Sequence, residues 1–303
     1  MSGRIVVGYT ATKAGADAVA LGSRLAVASG ASLDLVLVLP NEERSVITPP
    51  DPGYDRYLRG QAEQWLAGAA DMVPASVEHR EHVRYAESFA EGLTAVADEI
   101  GAALIVVGTA QGGARGRHTI GSTSTELLHS SDVPVVLAPK GSRKTDASAA
   151  VPRITVAVGT RPGAEALLQT AASLATSTGA AVRLLSLVTV DLPPTVDTGV
   201  IRLAGAAHAD DVLARAKAEL SADVQTEVVV ARGDSIETAV RGIEWLPGEL
   251  VLVGSSRLAQ PRRLFLGSTA AKMLRELPVP MIVVPRALGP TVPGATHSVE
   301  GDR

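Results

Sequence analysis

The stretch Val106–Lys140 reads VVGTAQGGARGRHTIGSTSTELLHSSDVPVVLAPK, and Leu252–Arg286 reads LVGSSRLAQPRRLFLGSTAAKMLRELPVPMIVVPR. Both stretches contain an early glycine, a later Gly-Ser-Thr triplet and a Val-Pro pair. The early glycines are Gly108 and Gly254, and the other matches keep the same offset (254 − 108 = 146). Because this offset is about one domain length, the repeat indicates duplication of a whole domain.

The amino-terminal part of each half repeats as well. Arg4 matches Arg153 and Gly30 matches Gly179, both at an offset of 149 (153 − 4 = 149). A chain of 303 residues has room for two ordinary domains. We therefore expect a first domain at 1–140, a polar linker at 141–151, a second domain at 152–287 and a disordered tail at 288–303.

Short Val/Leu/Ile runs alternate with helical patterns in both halves. The chain is 46% hydrophobic but only 3% aromatic, which suits aliphatic strands covered by alanine-rich helices. Such alternation predicts βαβ units and parallel sheets with helices on both faces. The predicted strands are Ile5–Tyr9, Leu33–Leu39, Val77–Tyr85, Leu104–Val107, Val135–Ala138, Ile154–Val158, Val182–Val190, Gln225–Val230, Leu250–Val253 and Met281–Val284.

Composition excludes several classes of function. The net charge is −4, so nucleic acid is not an expected partner. Cysteine is absent, which rules out disulfides, thiol catalysis and zinc–thiolate sites, and the six histidines are dispersed, so no metal site is expected. The first residues do not form a signal peptide, and no segment approaches a membrane span. The sequence therefore predicts a soluble cytoplasmic protein without a membrane partner.

Any ligand chemistry is expected where the fourth strand of each half ends. Gly108 and Gly254 close these strands, and Gly121 and Gly267 each open a helix after a loop. In open α/β sheets ligands bind beyond the carboxyl ends of strands, glycine admits a ligand close to the backbone, and a helix N-terminus suits phosphate. A competing explanation for Gly108 and Gly254 is a turn that needs a positive φ.

Two stronger nucleotide motifs are missing. The segment 116–123, GRHTIGST, imitates Walker A spacing, but Ser122 stands where lysine is required. No G-x-G-x-x-G follows the first strand of either half, so dinucleotide binding is not supported.

The duplicated strand–Gly–loop–Gly-Ser-Thr–helix–Val-Pro–strand pattern resembles the universal stress protein family in its tandem form, over nearly all of both halves. The resemblance implies two Rossmann-like α/β units, each an open parallel five-stranded sheet of order 3-2-1-4-5 with helices on both faces. It also implies that the last strands of the two domains, Val135–Ala138 and Met281–Val284, associate as an internal pseudo-dimer. A further homodimer of the whole chain is expected.

Nucleotide-binding members of the family carry Gly-x2-Gly-x9-Gly-Ser/Thr at this loop and an Asp after the first strand. This sequence keeps the outer spacing, since Gly108 and Gly121, like Gly254 and Gly267, are 13 residues apart (121 − 108 = 13). The middle glycine is replaced in both halves, and the Asp position holds a residue without a carboxylate. The implied nucleotide-binding residues are Thr10, Gly108, Gln111, Gly112, Arg117, Gly121, Ser122, Thr123, Gly159, Gly254, Arg257, Arg263, Gly267, Ser268 and Thr269.

Several of these residues have an alternative role. Gln111 and Arg257 stand at the missing glycines, with Gly112 one position later as a partial replacement, and Thr10 and Gly159 stand at the Asp position. Arg117 and Arg263 are equivalent loop residues that suit either a phosphate clamp or solvent exposure.

The hydroxyls that follow Gly121 also have two interpretations. Ser122 and Thr123 suit phosphate binding, but Thr123 with Glu126 also has capping-box spacing. Glu126 corresponds to Lys272, whose charge favours phosphate in the second half.

Three functions remain open. The first is a stress-associated regulator that binds ATP, with or without Mg²⁺, or another adenine nucleotide. The second is an interaction or scaffold protein of the same fold that has lost nucleotide binding. The third, ranked last, is a slow ATPase or self-phosphorylating protein, because no base, carboxylate cluster or lysine clamp accompanies the loops. We expect no catalytic residues.

Overall fold

The computed structural model describes residues 3–41, 52–110, 121–159, 164–189, 210–218, 220, 224–255 and 266–285. The predicted tail at 288–303 lies outside these residues. The ten strands are β1 Arg4–Gly8, β2 Ser32–Pro40, β3 His79–Ala86, β4 Leu104–Gly108, β5 Val135–Ala138, β6 Arg153–Ala157, β7 Ala181–Thr189, β8 Thr226–Gly233, β9 Leu250–Gly254 and β10 Met281–Val284. All ten correspond to the predicted apolar runs, with ends shifted by a few residues.

The strands form a single sheet in the order β3-β2-β1-β4-β5-β10-β9-β6-β7-β8. Each half thus has the order 3-2-1-4-5, and all pairings within a half are parallel. The predicted α/β fold class is confirmed. The halves meet through the antiparallel pair β5–β10, where Val136 lies opposite Ile282. Both of these side chains are completely buried, so the junction is part of the core.

The helices are α1 Lys13–Ser29, α2 Pro52–Ala70, α3 Phe89–Ile100, α4 Ser122–Ser130, α5 Glu165–Thr178, α6 described over 210–218, α7 Ile236–Arg241 and α8 Ser268–Glu276. Side chains of α1, α2, α5 and α6 share one apolar core, whereas α3, α4, α7 and α8 share a second core on the opposite face of the sheet. Strand residues alternate between the two cores, with Ile5 and Val7 in the first and Val6 in the second.

Helices α1 and α5 end in the same way. Gly30 and Gly179 follow them with φ of 69° and 71°, and each backbone N–H donates to a carbonyl of the last turn. Only glycine adopts this left-handed conformation without strain. The repeated Ser/Thr-Gly-Ala of the sequence is therefore a helix stop signal kept in both halves.

The predicted linker is ordered against the first half. A 3₁₀ turn at Ser142–Lys144 packs on α1, and the Asp17 carboxylate accepts hydrogen bonds from the backbone N–H groups of Gly141 (3.1 Å) and Arg143 (2.9 Å). The Arg143 side chain adds an ion pair to Asp17 at 2.8 Å. Within the described residues, no helix is long and apolar enough to cross a membrane.

Candidate functional site

Each half has one topological switch point. β1 lies between β2 and β4, and β6 lies between β7 and β9, so successive crossovers leave these strands in opposite directions. This arrangement opens a crevice beyond the carboxyl ends of the two central strands. Thr10 follows β1 and Gly108 ends the neighbouring β4, while Gly159 and Gly254 hold the same places in the second half. The fold therefore brings Thr10 and Gly108 together at one edge of the sheet, and Gly159 and Gly254 together at the other edge, because β5 and β10 are antiparallel.

The backbone shows that Thr10 and Gly159 are equivalent. The N–H of Tyr9 donates to Val36 at 2.8 Å, and the N–H of Val158 donates to Leu185 at 2.9 Å. The residues that follow, Thr10 and Gly159, are both exposed. The Thr10 hydroxyl lies 2.9 Å from the hydroxyl of Thr12, whereas nothing lies within 4 Å of a Cβ added at Gly159. At these two equivalent positions, the first half has the hydroxyl of Thr10 and the second half has Gly159, which carries no side chain.

The two strand-end glycines are under different steric constraints. The prediction of a positive φ at Gly108 and Gly254 is wrong, since neither is among the described glycines that adopt one. A Cβ on Gly108 would lie 2.0 Å from the carbonyl oxygen of Ala14, so glycine is required there because α1 passes against the strand end. A Cβ on Gly254 would only touch Leu167 at 3.8 Å, an ordinary contact.

Helices α4 and α8 begin without a side-chain cap. Their N-cap residues are Gly121 and Gly267, neither helix has a side-chain cap hydrogen bond, and neither first turn contains an acidic residue. By contrast, α3 and α7 are capped by the hydroxyls of Ser88 and Ser235 and carry a glutamate in the first turn. Among the described residues, the N–H groups at the start of α4 and α8 therefore have no side-chain cap, and the positive end of each helix faces no carboxylate of its own first turn.

The capping box predicted for Thr123 and Glu126 is wrong. Thr123 lies inside α4, and the Glu126 carboxylate accepts a hydrogen bond from the Ser88 hydroxyl at 2.5 Å. The same hydroxyl oxygen accepts from the N–H of Glu91 at 3.1 Å. Glu126 is thus tied to the start of α3. Ser122, like Ser268 and Thr269 in the second half, is exposed.

The loop between β4 and α4 starts and ends in one place, because a Cβ on Gly121 would lie 3.7 Å from Cβ of Ala110. Gly121 has a φ of −88°, which any residue can adopt. Neither this angle nor a steric contact in the described structure therefore requires glycine at position 121. The other predicted loop residues, Gln111, Gly112, Arg117, Arg257 and Arg263, lie outside the described residues.

Two residues of the site were missed by the sequence reasoning. Both the N–H and the hydroxyl of Thr109 donate to the carbonyl of Ala138 at 3.0 Å, which fixes the end of β4 to β5. Ser255 is its counterpart, with its N–H donating to Val284 at 2.8 Å. The recurrence of a hydroxyl residue directly after Gly108 and Gly254 is the sequence signal that could have revealed them.

The part of the chain that is described contains no group of three or more His, Asp or Glu side chains that could hold a metal ion. Burial raises the pKa of Tyr9, whose side chain lies in the core beneath the first crevice.

The fold and its repeated crevice define a tandem α/β protein with one switch point per half. Comparison with known proteins agrees. The model of the universal stress protein family matches residues 1–139 and 151–285, so the chain belongs to that family. A universal stress protein of Mycobacterium tuberculosis is 31% identical over 302 residues, covering 93% of this chain and 99% of its own length, and one from Mycobacterium bovis matches equally well.

Solved structures show the same fold. A universal stress protein from Archaeoglobus fulgidus superposes with a TM-score of 0.66 at 17% identity, covering 93% of this chain and 98% of its own. A second structure, from Pseudomonas aeruginosa, has a TM-score of 0.56 at 15% identity, with 93% and 92% coverage. At these identities the likeness concerns the fold alone.

Proposed function

We propose that this protein is a cytoplasmic stress-response regulator, without enzymatic activity, that binds ATP or another adenine nucleotide at the strand-end crevices. The phosphates would lie at the N-termini of α4 and α8. The sugar would lie beyond β1 or β6, where Thr10 presents its hydroxyl in the first half. The nucleotide would order the loops Thr109–Ile120 and Ser255–Leu266 and so change a surface read by protein partners.

One observation carries this proposal: the equivalent helices of both halves begin on glycine, without a side-chain cap or an early acid. Phosphate oxygens satisfy free N–H groups and interact favourably with the helix dipole. A glycine cap that had lost its role after duplication would have been open to replacement by Ser, Thr or Asp, each worth roughly 0.3 kcal/mol of helix stability over glycine. The choice of an adenine nucleotide rests on family membership.

The halves offer different advantages to a nucleotide. The first half has Thr10 for the sugar, and its Glu126 is held by Ser88 rather than left beside the phosphates. The second half lacks a side chain at Gly159 but has Lys272 in the second turn of α8, where its charge favours phosphate. We expect both crevices to bind, with unequal affinities.

The alternative is an interaction protein that no longer binds nucleotide. The replacement of the middle glycine by Gln111 and Arg257, together with the missing Asp at Thr10 and Gly159, favours it. Metal-dependent release of phosphate from ATP, abolished by Ser122→Ala with Ser268→Ala, would instead establish an enzyme.

The test begins with acid extraction of the purified protein, to detect nucleotide carried over from the cell. Calorimetric titration with ATP and Mg²⁺ follows, and then with ADP, AMP and GTP. Saturable binding with a preference for adenine supports the proposal. If no binding heat, no thermal shift and no extracted nucleotide are detected, the interaction protein is favoured. The next experiment is then a pull-down of protein partners with the intact chain. Sedimentation of the same sample tests the expected homodimer.

A further inference from the structure

A cavity of about 270 Å³ lies where the two halves meet, and none of the predicted nucleotide-binding residues lines it. Its walls come from α1, from the segment that follows β5, and from the second-half segments before β9 and β10. The cavity therefore exists only when both halves and the linker are assembled. Its volume is just below the usual range for sites that bind drug-sized molecules, which suits a smaller ligand.

The lining of this cavity is positively charged. Arg24, Lys140 and Lys144 contribute to it, and no Asp or Glu does. This local excess stands in a chain whose net charge is −4. The nearest acid on the same helix, Asp17, lies two turns away and already accepts hydrogen bonds from Gly141 and from the backbone and side chain of Arg143.

Arg24 is buried and has no counter-ion among the described residues. Its side chain belongs to a residue only 4% exposed, and its Nε has no hydrogen-bond partner. Its Nη2 donates to the backbone carbonyl of Gly248 at 3.2 Å, and no carboxylate among the described residues pairs with it. Burial lowers its pKa, yet a guanidinium stays charged in proteins.

The other buried arginine, Arg183, has the carboxylate partner that Arg24 lacks among the described residues. Arg183, equally buried at 4%, contacts the Glu249 carboxylate at 2.6 Å. Because an unpaired buried charge is costly, a guanidinium that lines a cavity with free N–H capacity is a site for an anion. The planar fork of arginine matches phosphate and carboxylate oxygens, and two lysines favour an anion with more than one charge.

We propose that this inter-domain cavity binds a small multivalent oxyanion of the phosphate class, with Arg24 holding the oxygens and Lys140 and Lys144 adding charge. Because Arg24 belongs to the first half and Gly248 to the second, an anion bound here clamps the two halves together. This site is independent of the proposed nucleotide function.

The test uses the full chain carrying Gly121→Leu and Gly267→Leu, which block the strand-end sites so that they do not contribute. Inorganic pyrophosphate is titrated at fixed ionic strength, with citrate in parallel to distinguish phosphate from carboxylate recognition. We expect one site per chain, a loss of affinity of about tenfold or more in Arg24→Gln, and about threefold in Lys144→Gln. The matched control is Arg59→Gln, which removes one charge from an exposed pair on α2 and should leave binding unchanged.

Lys144 is exposed, so its variant should fold even if Arg24→Gln does not, and circular dichroism establishes this for each protein. Absence of saturable binding would overturn the proposal. So would pyrophosphate binding that Lys144→Gln and Arg59→Gln weaken equally, since this would mean a non-specific charge effect. Tighter binding of citrate than of pyrophosphate would overturn the phosphate assignment.

Discussion

The two halves bury charge at the same place in opposite ways. In the first half Asp34 on β2 is 1% exposed and pairs with Arg4 and, at 2.7 Å, with His82. The corresponding residue of β7 is Arg183 (183 − 34 = 149), and the acid comes instead from Glu249, just before β9. Glu249 contacts Arg183 at 2.6 Å and Arg153 at 2.7 Å.

This comparison shows what duplication preserves. The strand order, the first-strand arginines Arg4 and Arg153, and the pairing of each of these arginines with a buried carboxylate are common to both halves. The buried acid itself differs between the halves: it is Asp34 on β2 in the first half and Glu249, just before β9, in the second. At the carboxyl ends of the strands the uncapped glycine starts of α4 and α8 have been kept in both halves, which is the contrast expected if a ligand constrains these ends.

The largest effect is expected from removing the acid of the second half. Glu249→Gln leaves Arg183, 4% exposed, and Arg153, 15% exposed, without the carboxylate they share. Losing one partner of a buried ion pair costs about 3–5 kcal/mol of unfolding free energy. Urea unfolding in a Trp65→Phe background measures it, because fluorescence then reports Trp245, whose ring centroid lies 5.0 Å from the Arg183 guanidinium.

The matched change in the first half is Asp34→Asn. It should cost less, about 1–3 kcal/mol, because Arg4 is 27% exposed and can turn to water. Urea unfolding followed by circular dichroism measures the unfolding free energy of both variants. Equal losses of free energy would contradict the difference between the two halves.

The second prediction concerns the strand-end glycines. Gly108→Ala should destabilise the fold by about 2 kcal/mol or more, because its Cβ would meet the Ala14 carbonyl, whereas Gly254→Ala should stay within about 0.5 kcal/mol of the parent. Thermal unfolding of the two variants side by side is the measurement. If Gly108→Ala unfolds at the same temperature as the parent, the close contact between α1 and the end of β4 is not present.

The third prediction exchanges charge at the phosphate end. Lys272→Glu should weaken nucleotide binding in the second half, and Glu126→Lys should strengthen it in the first, each by about three- to tenfold at low salt. Calorimetric titration of each variant in the background of a blocked opposite site isolates the effect. If Lys272→Glu binds unchanged, the charge argument for the second half fails.

The smallest effect concerns pH and belongs to the first half alone. Burial, with the nearby charge of Asp132, raises the pKa of Asp98, and Asp132 corresponds to Pro278 in the second half. The folded state then holds this proton more tightly than the unfolded state, so stability falls as pH rises from about 4 through the raised pKa. Asp98→Asn should therefore raise Tm slightly at neutral pH and not at pH 3. A gain that persists at pH 3 would assign the effect to something other than this charge.

Much of the fold follows from the sequence because burial leaves a local pattern. Apolar runs marked all ten strands, and the repeat of Gly30 and Gly179 marked two helix ends. Contacts between distant segments leave no such pattern. Three such contacts were therefore not predictable. They are the close approach of Ala14 to Gly108, the hydrogen bond from Ser88 to Glu126 across 38 residues, and the hydrogen bond from Arg24 to Gly248 across 224 residues.

The candidate site also has features that the sequence predicted and features that it did not. Its position and its glycine-started helices followed from strand order and spacing, whereas the assignment of Thr123 as a cap failed because Gly121 takes that place. The capping-box pattern describes only what neighbouring residues can do, and Glu126 found a partner on another helix.

The most direct test of the central claim counts nucleotide sites half by half. Equilibrium dialysis with radiolabelled ATP is performed on the parent, Gly121→Leu, Gly267→Leu and the double variant. The N-cap φ values of −88° and −69° accept leucine without backbone strain, so the side chain blocks the helix start and leaves the fold intact. The account predicts two sites of unequal affinity in the parent, one in each single variant and none in the double variant. Full binding in the double variant, or none in the parent, would contradict it.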